Sequence, residues 1–170
     1  QVLCVCVSLN TEIGYTNSKQ DFVGFAKGTP AVALDYLENT LHGTIMFVGN
    51  GENFMIRHRL LAEHIITFCA TQEILKEAYI RVLSILAPEL KKLNNSNRKF
   101  KLYKALINHY NLYKRFQNQI DHARDVYDSV SEFFNDDYQY WLQYGSLELE
   151  GRKGDIDLAE NYLSQAESLN

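Results

Sequence analysis

The chain has 170 residues, a net charge of −4 and 46% hydrophobic residues, enough for one domain of ordinary size or two small packed modules with a real core. Its three cysteines, Cys4, Cys6 and Cys69, show no CxxC spacing, and the apolar run VLCVCVSL is too short to span a bilayer and has no basic segment before it. These features argue against a disulfide framework and against a membrane segment, and they point to the reducing cytoplasm. Two prolines and nine glycines predict few breaks and long helices, and eleven tyrosines with nine phenylalanines suit helices that pack ring against ring. The expectation is a mainly α chain.

The first third reads as helix, helix, helix, hairpin. VLCVCVSLNTEI ends at Gly14, a candidate C-cap. Ser18 offers an N-cap to KQDFVGFA. The next helix, over PAVALDYLENTLHG, has Thr29 as N-cap, Pro30 at its first position and Gly43 after its end. TIMFV and FMIRH are strand-like runs joined by GNGEN, a strong hairpin signal. That order is the order of a winged helix, so residues 1–66 are predicted to form a winged-helix module with a small β-hairpin.

From Leu60 the helical period is continuous to Pro88, with a break expected near Thr71. Residues 67–97 read as a helical spacer, closed by the polar, linker-like stretch LKKLNNSNRKF, where the module boundary is placed. Residues 98–170 contain an internal repeat: QIDHARDVYDSV aligns with DIDLAENYLSQA, so that Ala123 matches Ala159, 36 positions on. Tyr127 with Leu163, and Val130 with Ala166, follow at the same offset. With Trp141, Tyr144 and Gly145 on the preceding helix, this resembles the tetratricopeptide repeat, although Glu148 stands where that family carries a tyrosine. The resemblance implies a helical repeat array for partner binding. The chain opens on Gln1 rather than methionine and closes on AESLN, where another repeat would begin, so it is expected to be an excerpt.

The densest chemistry lies in NFMIRHRLLAEH, with two arginines, two histidines and a glutamate between Arg57 and His64. A metal site is not predicted, because His58, Glu63 and His64 do not share a helical face and lack zincin spacing. DNA binding is disfavoured as well. Residues 1–66 hold Lys19, Lys27, Arg57 and Arg59 against six carboxylates, a balance of −2, and the third helix has Asp35 and Glu38 but no cation. The bland alternative is a solvated helix start. No P-loop and no G-x-S-x-G is present, so no catalytic residue is assigned, and the three cysteines read as core thiols. Asp136 and Asp137 read as helix-start residues, while Tyr138, Tyr140 and Tyr144 are candidate partner-binding residues in so far as they are exposed.

IRHRLLAEHI, placed after a hairpin and before helical repeats, resembles the Met-His-Asp segment of STAND-class NTPases, with His58 at the histidine, Arg57 for the methionine and Arg59 for the aspartate. The order winged helix, spacer, repeats is most similar to prokaryotic members, including those of antiviral defence. The resemblance implies that His58, with Arg59 beside it, contacts the phosphate of ADP held by an upstream nucleotide-binding domain of the same chain. It further implies that the repeats sense a protein ligand, such as a phage protein, and that activation brings homo-oligomerisation. The cofactor of such a parent protein is ATP or ADP, and this chain would hold none by itself. A transcription regulator, with the winged helix on DNA and the repeats on a partner, is the alternative, and a self-contained scaffold is a third.

Overall fold

The computed structural model describes residues 1–26, 28–90 and 97–170. The chain is mainly helical with one small antiparallel sheet, and it divides into two compact units, Gln1–Ile85 and Leu86–Asn170. Of LKKLNNSNRKF, residues 90–100, in which the boundary at 97/98 is placed, residues 91–96 lie outside the described residues.

The first unit is built around α1, Val2–Glu12. Every residue from Val5 to Thr11 is buried, as expected of a helix that is apolar nearly all round. It stops in a Schellman turn: Gly14 adopts φ +83°, its N–H donates to the Thr11 carbonyl at 2.9 Å, and the Tyr15 N–H reaches back to the Asn10 carbonyl at 2.8 Å. A two-residue strand follows, β1, Asn17–Ser18. It is absent from the sequence reading because two polar residues carry no alternation. Asn17 is nonetheless buried, its side-chain carbonyl accepting from Asn10 Nδ2 at 2.6 Å.

Ser18 then caps α2, Lys19–Phe25, in a reciprocal box with Asp21: each side chain accepts from the other residue's backbone N–H at 3.0 Å. Helix α3, Pro30–Asp35, starts on its proline and widens into a π turn over Tyr36–Thr40. Thr29 occupies the N-cap position but makes no side-chain cap bond. Strands β2, Ile45–Val48, and β3, Asn53–Ile56, form the hairpin, with Gly49 and Gly51 at φ +69° and +85° in its turn. The sheet order is β1-β3-β2, so the late strand lies in the middle. Phe54 and Ile56 drive into the core, where Phe22 meets Phe54 edge-on at 5.6 Å and Thr11 Oγ1 accepts the Ile56 N–H at 3.0 Å.

Helix α4, Arg59–His64, also ends in a π turn, Ile65–Cys69, and the expected break comes at Ala70–Thr71. Helix α5, Gln72–Leu90, carries Pro88 inside its last turn rather than stopping before it. The division between the units falls within α5.

The second unit holds α6, Arg98–Leu106, α7, His109–Arg115, α8, Ile120–Phe134, α9, Tyr138–Glu150, and α10, Ile156–Leu169. Asn108, Asp137 and Asp155 cap α7, α9 and α10 through side-chain oxygens, and Asn108 divides α6 from α7. Ala123, Tyr127 and Val130 on α8 and Ala159 and Ala166 on α10 are all buried. Gly145 lets α9 and α10 meet closely, since a Cβ there would lie 2.7 Å from Leu163 Cγ.

A ring series fills the core, with Tyr103 on Phe134 at 4.9 Å, Tyr127 on Tyr144 at 4.6 Å and Tyr144 on Tyr162 at 4.3 Å. Its buried hydroxyls are all committed. Tyr103 donates to Asp137 at 2.8 Å, Tyr140 to the Tyr127 carbonyl at 2.6 Å and Tyr144 to Asp128 at 2.7 Å.

Candidate functional site

In the first unit, the basic cluster divides by role. Arg57, at the end of β3, turns back across the hairpin: its Nε donates to the Ile45 carbonyl at 2.9 Å and Nη2 to the His42 carbonyl at 3.4 Å. Its guanidinium staples the entry of β2 and is not free for a ligand. His58 is extended, φ −135°, and its carbonyl accepts the Ala62 N–H at 3.1 Å as α4 begins. Both His58 and Arg59 are exposed, and among the described residues neither side chain makes a hydrogen bond or ion pair. An imidazole and a guanidinium presented side by side to solvent are competent donors to an oxyanion.

Behind them α4 buries Ala62 and the π turn after it buries Ile66, not the two leucines: Leu60 is 78% exposed, and Phe68, against the His64 ring at 4.9 Å, is 75% exposed. The cysteines do not form one class. Cys6 is buried and its thiol is pushed up to about 12 by desolvation, Cys4 is half-buried, and Cys69 is exposed, which corrects its reading as a core thiol.

In the second unit, the three candidate tyrosines separate. Tyr140 and Tyr144 belong to the core, and burial raises both phenols far above their usual range. Their assignment as partner-binding residues is therefore corrected, because neither presents a surface. Tyr138 alone is exposed.

Glu148 on α9 is 1% exposed and lies among hydrogen bonds. Arg124 on α8 grips it in a fork, Nε to Oε1 at 2.7 Å and Nη2 to Oε2 at 2.6 Å, and the Asp155 N–H at the start of α10 donates to Oε2 at 2.9 Å. One carboxylate thus joins three helices. The hydrogen bond to Glu148 in turn raises the Arg124 guanidinium further.

A second feature was not singled out from the sequence. A pocket of about 180 Å³ opens between α7 and α9, lined by His109, Tyr110, Tyr113, Lys114, Leu147 and Glu150 among others. The His109 ring spans it, with Nδ1 3.0 Å from Gln143 Oε1 and Nε2 3.1 Å from Glu150 Oε2. Gln143 Oε1 also accepts the His109 backbone N–H at 3.0 Å, which identifies that atom as the oxygen. No local signal could have found the site, because His109 and Glu150 are 41 residues apart and meet only through the fold.

Among the described residues no group of three or more His, Cys, Asp or Glu side chains could hold a metal ion, and no helix is long and apolar enough to cross a membrane. Comparison with protein-family models, with curated proteins and with solved structures finds no match.

Proposed function

We propose that this chain is the sensor and relay region of a larger STAND-type NTPase, in which a winged-helix first unit reads nucleotide state and a tetratricopeptide-like second unit binds a protein ligand. The element order α1-β1-α2-α3-β2-β3, with β3 between β1 and β2, agrees with a winged helix. The paired helices α9 and α10, with Gly145 at their crossing and matched small residues on α8 and α10, agree with repeat packing.

The observation that carries the reading is the placement of His58. It comes directly after the hairpin, exposed and unengaged beside an equally unengaged Arg59, while Arg57 is spent on the hairpin itself. Those two donors suit the phosphate of an ADP held by an upstream domain, which supplies the negative charge when bound. Ligand on the repeats then biases the same two-state element that the phosphate contact biases, as coupling between two sites requires. The DNA-binding alternative loses one of its two local cations, because the Arg57 guanidinium is satisfied by backbone carbonyls.

The test is His58→Ala in the intact protein. Loss of the contact is expected to speed ADP release and raise basal activity, by about five-fold or more for a coupling of this class. Unchanged ADP retention and unchanged basal activity would sink the latch.

A further inference from the structure

The cations of the second unit are unevenly placed. Residues 97–120, which supply α6, α7 and the turns around them, hold six lysines and arginines and no carboxylate, in a chain whose net charge is −4. An ordinary solvated helix face pairs its signs, as α5 does, where Glu73 meets Lys76 at 3.0 Å and Glu77 meets Arg81 at 2.9 Å. On α6 the exposed Arg98, Lys101 and Lys104 follow one another at every third position and so share one face, and α7 adds the exposed Lys114. Among the described residues none of these four makes an ion pair.

Two rings hold two of the ammonium groups in place. Lys104 Nζ lies 5.1 Å from the centroid of the Phe100 ring, and Lys114 Nζ lies 4.3 Å from that of Tyr110, so each helix carries a ring with a lysine one turn on. Phe100 is half-buried, whereas Tyr110 is 53% exposed and keeps ring surface open to solvent. Asn111 beside it and Asn118 in the turn after α7 are exposed amides. Two carboxylates border the patch and both are engaged, Glu89 with Lys99 at 2.8 Å and Glu150 with His109 Nε2 at 3.1 Å. Glu150 shares a pocket wall with Lys114, so the three cations of α6 carry most of the uncompensated charge.

We propose that the exposed faces of α6 and α7 bind single-stranded nucleic acid, with the cations on its phosphates and the Tyr110 ring stacked on a base. Unpaired cations alone would suit any polyanion, and the exposed ring is what selects among them. A single strand offers free base faces, which a duplex keeps stacked and an acidic peptide lacks. A lipid surface is disfavoured, because Tyr110 is the only exposed large hydrophobic or aromatic side chain on these two helices. The inference goes beyond the protein-ligand reading of this unit and does not depend on it.

The test is fluorescence anisotropy of the full chain with labelled oligo(dT) and oligo(U) of about 20 nucleotides, a hairpin duplex of equal charge and a poly-glutamate peptide, from about 50 to about 200 mM salt. Saturable binding of the single strands is expected, with a Kd at or below about 100 μM at the lowest salt. With about three to four phosphates neutralised, affinity should fall about 20- to 50-fold across that range. Lys101→Gln combined with Lys104→Gln should weaken binding and flatten the salt dependence. Tyr110→Ala should weaken binding about five-fold or more at every salt concentration and leave the salt dependence as it was. All three side chains are exposed, so the amide spectra of both variants should otherwise match the parent. No saturable binding of the single strands, equal or tighter binding of the duplex or of poly-glutamate, or indifference to either variant overturns the proposal. A preference for poly-glutamate would make the partner an acidic protein segment instead.

Discussion

Glu148 shows how one buried charge can serve as a structural device. A carboxylate that is 1% exposed must be desolvated, which costs several kcal/mol unless partners replace the lost water. Here the Arg124 fork and the Asp155 N–H do so, at distances of 2.6–2.9 Å. Removing the carboxylate leaves Arg124 without its main partner and frees the N–H at the start of α10. Glu148→Ala is therefore expected to destabilise the protein by about 3–5 kcal/mol, the range for breaking a buried pair from one side. Urea unfolding of both proteins checks it, and a loss below about 1 kcal/mol would mean that water replaces the carboxylate.

At the level of elements, the crossing of α9 and α10 depends on the absence of a side chain. Alanine in mid-helix is ordinarily favoured over glycine by about 1 kcal/mol, whereas forcing a methyl group into a packed core costs about 1–3 kcal/mol. At Gly145 the second effect should win, because a Cβ would meet Leu163 Cγ at 2.7 Å and the Leu163 backbone nitrogen at 3.2 Å. Gly145→Ala is expected to lower stability by about 1–2 kcal/mol. In a double-mutant cycle with Leu163→Ala the penalty should vanish or reverse. Additive losses would show that the backbone contact, not the leucine, sets the spacing.

Across the whole molecule the two units differ in what fills them. Aliphatic side chains and phenylalanines supply most of the first core, while the second depends on tyrosines whose hydroxyls are hydrogen-bonded. Burial raises the phenols of Tyr103, Tyr140 and Tyr144 far above the value of about 10 for an unfolded tyrosine. Below about pH 10 both states hold these protons and the stability they contribute is intact. Above it the unfolded chain loses them first, so the folded state binds more protons and stability falls as pH rises. Alkali is expected to open the second unit before the first, with amide protection lost in α8 and α9 ahead of α1 and β3. Ionisation of Tyr103, Tyr140 and Tyr144, followed by their own ring NMR signals, should appear together with that loss. Ionisation of these three with protection retained would contradict the burial argument.

The sequence by itself determined the helical character, the caps at Ser18, Asp137 and the Gly14 turn, the hairpin and the break near Thr71. Each is set by a few neighbouring residues whose backbone groups must be satisfied locally. The internal repeat also singled out Ala123, Tyr127 and Val130, all of which are buried on α8. Only the tertiary structure could decide the rest. Strand β1 exists because β3 is there to pair with it, and the inward residue of α4 is Ala62, with Ile66 in the π turn after it, because the six-residue helix offers too short a stripe to choose its own face. Tyr140 and Tyr144 could not be told from a binding surface until their neighbours closed over them. Arg57, by contrast with His58 and Arg59, found its acceptors across the hairpin. The pairs Arg124 with Glu148 and His109 with Glu150 join residues 24 and 41 positions apart, and no local spacing encodes a hydrogen bond that only helix packing brings within reach.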